Sequence, residues 1–326
     1  MFPLKISVII PTYNRCQKIG ITLDSFLQQS YDSKEYKIFV CNNNSTDSTK
    51  KILQRYANDY PGRIVCLDEL HQGVHYARNS AAKVADGDIL YFTDDDMIAD
   101  PNLLSEIVKV FEFDPHVASV TGRVLPKWEI EPPQWVTQLC YNGLLSLNDP
   151  PEDFIISKND CNVFSCHQAI RREVFFQSGG FNPENTAGEW IGDGETGLNL
   201  KIKELGYKFG YNGKSTIYHM IPAQRMTQAY LNKRLGNQGN CDSYTDYKRY
   251  VYSQTKLWLI NIKFFIKIIF LIPRIIKPFI LQKSEWRINL GYIFYYTNRI
   301  KYNTKLINQS SWRELVLKTN WIEEDA

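Results

Sequence analysis

Tyr91-Phe92-Thr93-Asp94-Asp95-Asp96 is an apolar run that ends in three consecutive carboxylates. Like charges crowded at a strand end repel one another and raise one another's pKa values unless a cation sits among them. Mg²⁺ and Mn²⁺ prefer carboxylate oxygens and commonly share their coordination shell with substrate phosphates. The plainer reading is a solvated acidic turn, with Asp96 or Asp100 capping a helix that starts near Pro101. The surrounding sequence decides between the two.

Working outward, short apolar runs alternate with amphipathic segments. Strands are predicted at Ile6–Ile10, Lys37–Cys41, Arg63–Leu67, Asp88–Phe92 and Val117–Val120, and helices near Cys16–Gln29, Asp47–Tyr60, Val74–Ala85 and Pro101–Phe113. Ile19, Leu23, Phe26 and Leu27 have the i, i+4, i+7, i+8 spacing of a buried helix face. Such alternation predicts βαβ units and a mostly parallel sheet flanked by helices, and ligands bind such sheets at the carboxyl ends of the strands. The polar clusters Thr12-Tyr13-Asn14, Asn42-Asn43-Asn44-Ser45 and Asp94-Asp95-Asp96 fall at those ends. From Gly122 the sequence turns aromatic and proline-rich (Trp128, Pro132-Pro133, Trp135) and reads as an ordered, irregular loop. A second α/β-like stretch follows, with Cys161–Ile170, the Gly179-Gly180-Phe181 turn and a helix over Thr196–Leu205.

The chain has 326 residues, 44% of them hydrophobic and 22% charged, with a net charge of +3. This suits about two domains with a large core. Seven cysteines scattered along the chain fit a reducing compartment better than a disulfide framework. Cys161, Cys166 and His167 match no common zinc spacing. The amino terminus shows no signal-peptide pattern, and no 18-residue uncharged apolar stretch is present. A cytoplasmic protein without a spanning helix is therefore expected, and no nucleic-acid partner.

Four segments stand in order: Val8-Ile9-Ile10-Pro11-Thr12-Tyr13-Asn14-Arg15, Asn42-Asn43-Asn44-Ser45-Thr46-Asp47-Ser48-Thr49, His71-Gln72-Gly73-Val74-His75-Tyr76-Ala77-Arg78-Asn79, and Asp86-Gly87-Asp88 leading into Thr93-Asp94-Asp95-Asp96. Together they resemble the family 2 glycosyltransferases over roughly residues 5–235. The resemblance implies a GT-A fold, a Rossmann-like sheet that binds a nucleotide-sugar donor. It implies that Asp94 and Asp96 form the DxD-type element, Asp96 as the direct ligand of Mn²⁺ or Mg²⁺ and Asp94 nearer the ribose, with Asp95 between them. Such a metal would stabilise charge on the departing diphosphate. Arg78 would lie near the nucleotide, although a surface helix arginine is its plainer reading. Pro11, Thr12, Tyr13 and Asn14 would shape the base pocket. The family usually has Asp where this chain has Asn42. An amide can both donate and accept, so a UDP-sugar is the default donor, with GDP- and dTDP-sugars open. Asp47 reads as a helix cap.

The catalytic base is expected within Gly188-Glu189-Trp190-Ile191-Gly192-Asp193-Gly194-Glu195-Thr196-Gly197-Leu198. Many family members carry a Glu-Asp pair followed by Thr-x-Leu here. Aligning Thr196 and Leu198 puts Glu195 where that Asp stands and Gly194 in place of the Glu. Asp193 is the alternative base, and helix N-capping is the plainer role for either. Within Tyr218–Arg225, His219 resembles a family His that approaches the metal or diphosphate; a structural histidine is the alternative. Trp128, Trp135 and Trp190 suit stacking on acceptor sugars or core packing.

From Tyr247 to Ser284 there are eight Lys/Arg and no Asp or Glu. Lys256, Lys263, Lys267 and Arg274 fall on one helical stripe at about 100° per residue, amid Leu, Trp, Ile and Phe. Pro273 and Pro278 are expected to kink or end this helix. A cationic stripe beside a wide apolar face suits an anionic membrane surface; docking on the catalytic domain or on a homodimer partner is the alternative. The expected organisation is a nucleotide-sugar-binding half over 1–122, an acceptor-binding half over 123–240 and a helical, amphipathic extension over 241–326. The expected function is an inverting, metal-dependent, hexosyltransferase-type enzyme of surface polysaccharide synthesis, peripheral on the inner face of the cell membrane, with a glycan or lipid-linked acceptor. A nucleotidyltransferase would need a Gly-rich triphosphate loop that Pro11–Asn14 does not supply. A degenerate binding scaffold would be expected to lose the carboxylates that are present here.

Overall fold

A computed structural model describes residues 3–140, 143–186 and 188–323. The alternation read from the sequence is realised as β1 (Ile6–Thr12), α1 (Ile19–Leu27), β2 (Tyr36–Asn42), α2 (Thr49–Asp59), β3 (Ile64–Asp68), α3 (Val74–Val84), β4 (Ile89–Thr93), the short β5 (Met97–Ala99) and α4 (Leu103–Phe113). Strand β1 is buried along its whole length. Val8 and Ile10 join the apolar cluster that contains α1 and α4 residues, and Ile9 joins the one that contains Ala77 and Ala81 of α3. A strand covered on both faces needs a continuous apolar run, which Ile6–Ile10 supplies.

The second half adds β6 (Val117–Trp128), α5 (Gln134–Leu139), β7 (Phe154–Ser157), β8 (His167–Arg171), α6 (Arg172–Gln177), the small hairpin β9 (Asn185–Thr186) and β10 (Glu189–Trp190), α7 (Gly194–Glu204) and β11 (Lys208–Ile221). Nine strands form one sheet in the order β3-β2-β1-β4-β8-β6-β11-β5, with β7 also paired to β11. Strands β1 to β4 are mutually parallel where they pair, whereas β8 is antiparallel to both β4 and β6. The sheet is therefore mixed. Its order reverses direction at β1, with β2 on one side and β4 on the other. At such a switch point the following loops part and leave a crevice.

Three sequence expectations change. The irregular stretch after Gly122 is shorter than expected: β6 continues to Trp128, because β11 supplies a partner as far as Ile221↔Trp128, and only residues 129–133, before α5, lack regular structure. Neither expected domain boundary is a break in the structure, since β6 runs across residue 122 and α8 (Gln228–Tyr250) across residue 240. In the tail, α9 (Gln254–Ile280) ends at neither Pro273 nor Pro278, both of which lie inside it.

Helix α9 packs on α10 (Trp286–Asn308), which packs on α8, and α11 (Ser310–Leu317) closes the chain. Leu257, Asn261, Phe264 and Leu271 make the buried stripe of α9. Beyond that stripe and the lysine stripe, Trp258, Ile262, Phe265, Ile269 and Phe270 face outward, Phe265 being 60% and Phe270 66% exposed. The tail is nonetheless joined to the β9–α7 region. Ile191 shares one apolar cluster with Tyr244, Leu257, Tyr302, Leu306 and Trp312, and the Tyr302 hydroxyl donates to the Ile191 carbonyl. Among the described residues no helix is long and apolar enough to cross a membrane.

Candidate active site

The carboxyl ends of β1, β2 and β4 open into a cleft of about 570 Å³. Pro11, Thr12 and Tyr13 line it from β1, Asn43 from the end of β2, Gly73 from the start of α3, and Asp94, Asp95 and Asp96 from the end of β4. The three motif regions read from the sequence thus converge because β1 lies between β2 and β4.

Each of the three carboxylates has its own guanidinium. Arg78 Nη2 donates to Asp94 Oδ1, Arg15 Nε to Asp95 Oδ1 at 3.1 Å, and Arg225 Nη2 to Asp96 Oδ2 at 3.0 Å. The repulsion expected within the acidic run is thereby compensated by side chains, so charge crowding alone does not require a metal. Burial pushes the Asp95 carboxyl up to about 7, with Asp96 adding to it and Arg15 opposing. Burial acts the same way on Asp96, but its contact with His219 and then the charges of Arg225 and Arg15 hold it well below the usual carboxylate range. Neither Arg15 nor Arg225 was singled out by sequence reasoning. Each lies inside a quoted motif, and its position there was the available signal.

His219, on β11, is buried beside this group with Nε2 3.8 Å from Asp96 Oδ2. Its Nδ1 donates to the Leu145 carbonyl at 2.9 Å, and Nε2 accepts from Arg225 Nη1. A histidine whose outer nitrogen is fixed on a backbone carbonyl presents the other as a lone pair, the arrangement found at metal sites. Asp96, Asp94 and an imidazole nitrogen form a donor set suited to Mn²⁺ or Mg²⁺. By donor type Asp96 and His219, 3.8 Å apart, suit such a cation, whereas the His75, Glu184 and Glu195 donor atoms are the ones that lie within 4.8 Å of one another among the described residues.

Arg78 is buried and spans the gap from the cleft to the second half. Its Nη1 donates to Ser165 Oγ at 2.9 Å, and Ser165 Oγ donates to Glu195 Oε2 at 3.1 Å. The surface-arginine reading of Arg78 is thus overturned. Glu195 borders a second cavity of about 680 Å³, which is also lined by Asn148, Phe164 and Arg234. Burial raises the Glu195 carboxyl above its ordinary range, and nearby Glu184 raises it further. Asp193 lies elsewhere: it is 2% exposed, accepts from Asn182 Nδ2 at 2.7 Å and Thr245 Oγ1 at 2.8 Å, and borders neither the cleft nor the Glu195 cavity. Its carboxylate makes no capping bond to α7. Asp193 instead borders a cavity of about 740 Å³ that is also lined by Lys201 and Lys248, so the two carboxylates face different spaces, and Glu195 is the one linked through Ser165 to Arg78 and the cleft.

Other residues fall outside the cleft wall. Asn14 Oδ1 accepts from the Thr46 amide at 2.8 Å and ties the β1 loop to the β2 loop. Asn42 is buried, donating to Asp68 Oδ1 at 2.7 Å and accepting from the Ser45 amide at 3.2 Å. Its neighbour Asn43, which sequence reasoning passed over, lines the cleft and fixes the Gly73 amide at 2.7 Å. None of the three tryptophans borders the cleft or the Glu195 cavity. Trp128 and Trp135 pack against the main core, Arg287 lies over the Trp135 ring at 4.6 Å, and the Trp190 indole donates to the Gly192 carbonyl at 2.7 Å. They serve packing. His167, of the rejected zinc grouping, accepts from the Tyr91 hydroxyl at 2.8 Å and donates to the Ser215 carbonyl at 3.0 Å.

Residues 7–177, more than half of the chain, match the family described as Glycosyl transferase family 2. The glucosyl-dolichyl phosphate glucuronosyltransferase of Haloferax volcanii is 25% identical over 67% of this chain and 70% of its own length. The O-antigen chain rhamnosyltransferase RfbN of Salmonella typhimurium is 30% identical over 66% of each. Among solved structures, a mannosyltransferase of Pyrobaculum calidifontis in complex with GDP-Man and Mn²⁺ superposes with a TM-score of 0.55 at 21% identity, over 73% of this chain and 63% of that one. The chain thus spans slightly less than two thirds of RfbN and of the mannosyltransferase.

Proposed function

Because this chain belongs to glycosyl transferase family 2, we propose that it moves a sugar from a nucleotide-sugar donor bound at the β1–β2–β4 cleft to a hydroxyl of a glycan or lipid-linked acceptor, with inversion at the anomeric carbon. The observation that carries the proposal is the bridge from Asp94 through Arg78 and Ser165 to Glu195. It couples a diphosphate-binding end to a carboxylate facing a separate cavity. The Glu195 carboxylate takes the acceptor hydroxyl proton while that oxygen bonds to the anomeric carbon. The anomeric carbon–phosphate oxygen bond breaks, and its electron pair leaves on the nucleotide diphosphate. Arg15 and Arg225, which line the cleft, place positive charge where that diphosphate would lie, and Arg78 anchors Asp94 behind them. Asp96, Asp94 and His219 would hold Mn²⁺ or Mg²⁺, which when bound supplies Lewis-acid stabilisation of the leaving charge.

UDP-sugar is the default donor. The GDP-Man complex of the structural neighbour keeps the guanine alternative in view, and the buried amide of Asn42 decides nothing between them. The names of RfbN and of the Haloferax relative favour a surface or lipid-linked glycan as the product class. The outward apolar face of α9, flanked by Lys256, Lys263, Lys267 and Arg274, favours a peripheral seat on an anionic membrane, on its cytoplasmic side. The test is a hydrolysis screen of nucleotide sugars with and without Mn²⁺, since slow donor hydrolysis needs no acceptor. Release of nucleotide diphosphate from one donor class is expected. No cleavage of any donor, and no binding of any, would overturn the reading.

A further inference from the structure

Gly194 opens α7 with φ +53°. A β-carbon there would stand 2.4 Å from Glu184 Oε1 and 2.5 Å from His75 Nε2. The space that a side chain at 194 needs is therefore taken by two groups from elsewhere in the chain, one on the loop after α6 and one on α3. The His75 ring is fixed on both sides: it stacks on Phe181 with centroids 4.8 Å apart, and its Nδ1 accepts from Arg78 Nη1 at 3.3 Å. An acceptor at Nδ1 puts the ring proton on Nε2, which faces Glu184 Oε2 at 3.7 Å. His75, Glu184 and Glu195 bring one nitrogen and two carboxylate oxygens within 4.8 Å of one another.

We propose that Glu184 is a positioning residue for Glu195, its carboxylate filling the gap left by Gly194 beside His75 and keeping a second negative charge next to the base. The proposal rests on Glu195 being the base, but its test needs no turnover. The groups that face this pair are His75 and Arg78 of α3, Arg234 and Cys241 of α8, Ser165, and Asp94 across the Arg78 bridge. Burial raises both carboxyls, and the charge of Glu184 raises Glu195 further. Two carboxylates at this separation titrate as a pair. A base whose proton affinity is lifted towards neutrality accepts a proton better at the working pH. A metal site in the same trio is disfavoured by the proton on His75 Nε2, because a ligand nitrogen must present a lone pair.

The experiment is a carbon NMR titration of the full chain labelled at the glutamate side-chain carboxyl, with resonances assigned through Glu184→Gln and Glu195→Gln. In the wild type both resonances should follow one shared two-step curve. In Glu184→Gln the Glu195 midpoint should fall towards the ordinary carboxylate range. Glu184→Asp, which withdraws the carboxylate by one methylene, should give an intermediate midpoint. Independent single-step curves in the wild type, or a Glu195 midpoint unchanged in Glu184→Gln, would overturn the proposal. So would stoichiometric displacement of both resonances by Zn²⁺ alone in an Asp96→Ala background. The wild-type curve is informative even if a variant does not fold, and absence of glycosyl transfer leaves all of these readouts intact.

Discussion

His219 gives its Nδ1 proton to the carbonyl oxygen of Leu145 at 2.9 Å. The opposite edge of the ring therefore faces Asp96 as a lone pair, shared with Arg225. In the proposed metal site it is this bond that leaves a nitrogen free to face the cation.

Asp96→Ala should abolish turnover and weaken Mn²⁺ binding, measured by electron paramagnetic resonance of free Mn²⁺. His219→Gln should weaken Mn²⁺ binding by about 10–100-fold, the range for disturbing a metal site's support. EDTA should silence the wild type. Full activity in EDTA would overturn the metal requirement.

Glu195→Gln should keep donor binding yet lose about 10²–10⁴ in transfer rate, the usual worth of a general base. Asp193→Asn should act differently, because its carboxylate satisfies Asn182 and Thr245 inside the protein. It should lower the melting temperature more than it lowers the rate. The reverse ranking would make Asp193 the base.

The rate should also report the state of Glu195. Burial and the neighbouring Glu184 raise its carboxyl, and the ionised form is the one that accepts a proton. Activity should therefore fall as pH drops through the raised value. The acid limb of kcat should lie above the ordinary carboxylate value of about 4.3. A limb at or below that value would mean that the group titrating is not this one.

Vesicles containing anionic lipid should float the protein, more weakly at high salt but still measurably, because screening removes charge attraction and leaves apolar burial. Phe265→Glu with Phe270→Glu should end flotation while leaving the fold intact, since both rings face outward. Deleting everything after Tyr247 is a poor test, because it would strip Leu257, Tyr302 and Trp312 from the cluster that contains Ile191. Dimerisation lost in the same double variant would favour a second chain, not a membrane, as the cover.

The β1–β4 half was legible because its strands are continuous apolar runs ending in polar clusters, and strand adjacency then brings the clusters together. Asp94 and Arg78 could be named from their motifs. What escaped depended on pairing between distant segments. The end of β6 reads as loop beside the proline- and tryptophan-rich residues that follow it until β11 supplies a partner register. Asn42 and Asn43 are neighbours in sequence, but strand alternation turns the first inward to Asp68 and leaves the second at the cleft. Glu184 carried no motif at all; only the missing side chain of Gly194 marks the place it fills.

The bond from Tyr302 to the Ile191 carbonyl has a mechanical consequence. Ile191 lies four residues before Glu195, and Tyr302 sits on the helix against which α9 packs. The outward apolar face and the segment bearing Glu195, the proposed base, are thus joined through α10. If that face lies on a bilayer, the base stands at a set height above it. Acceptors whose reactive hydroxyl sits at that height would be served first, and chain length could be sensed as distance without any pocket that reads the sugars themselves.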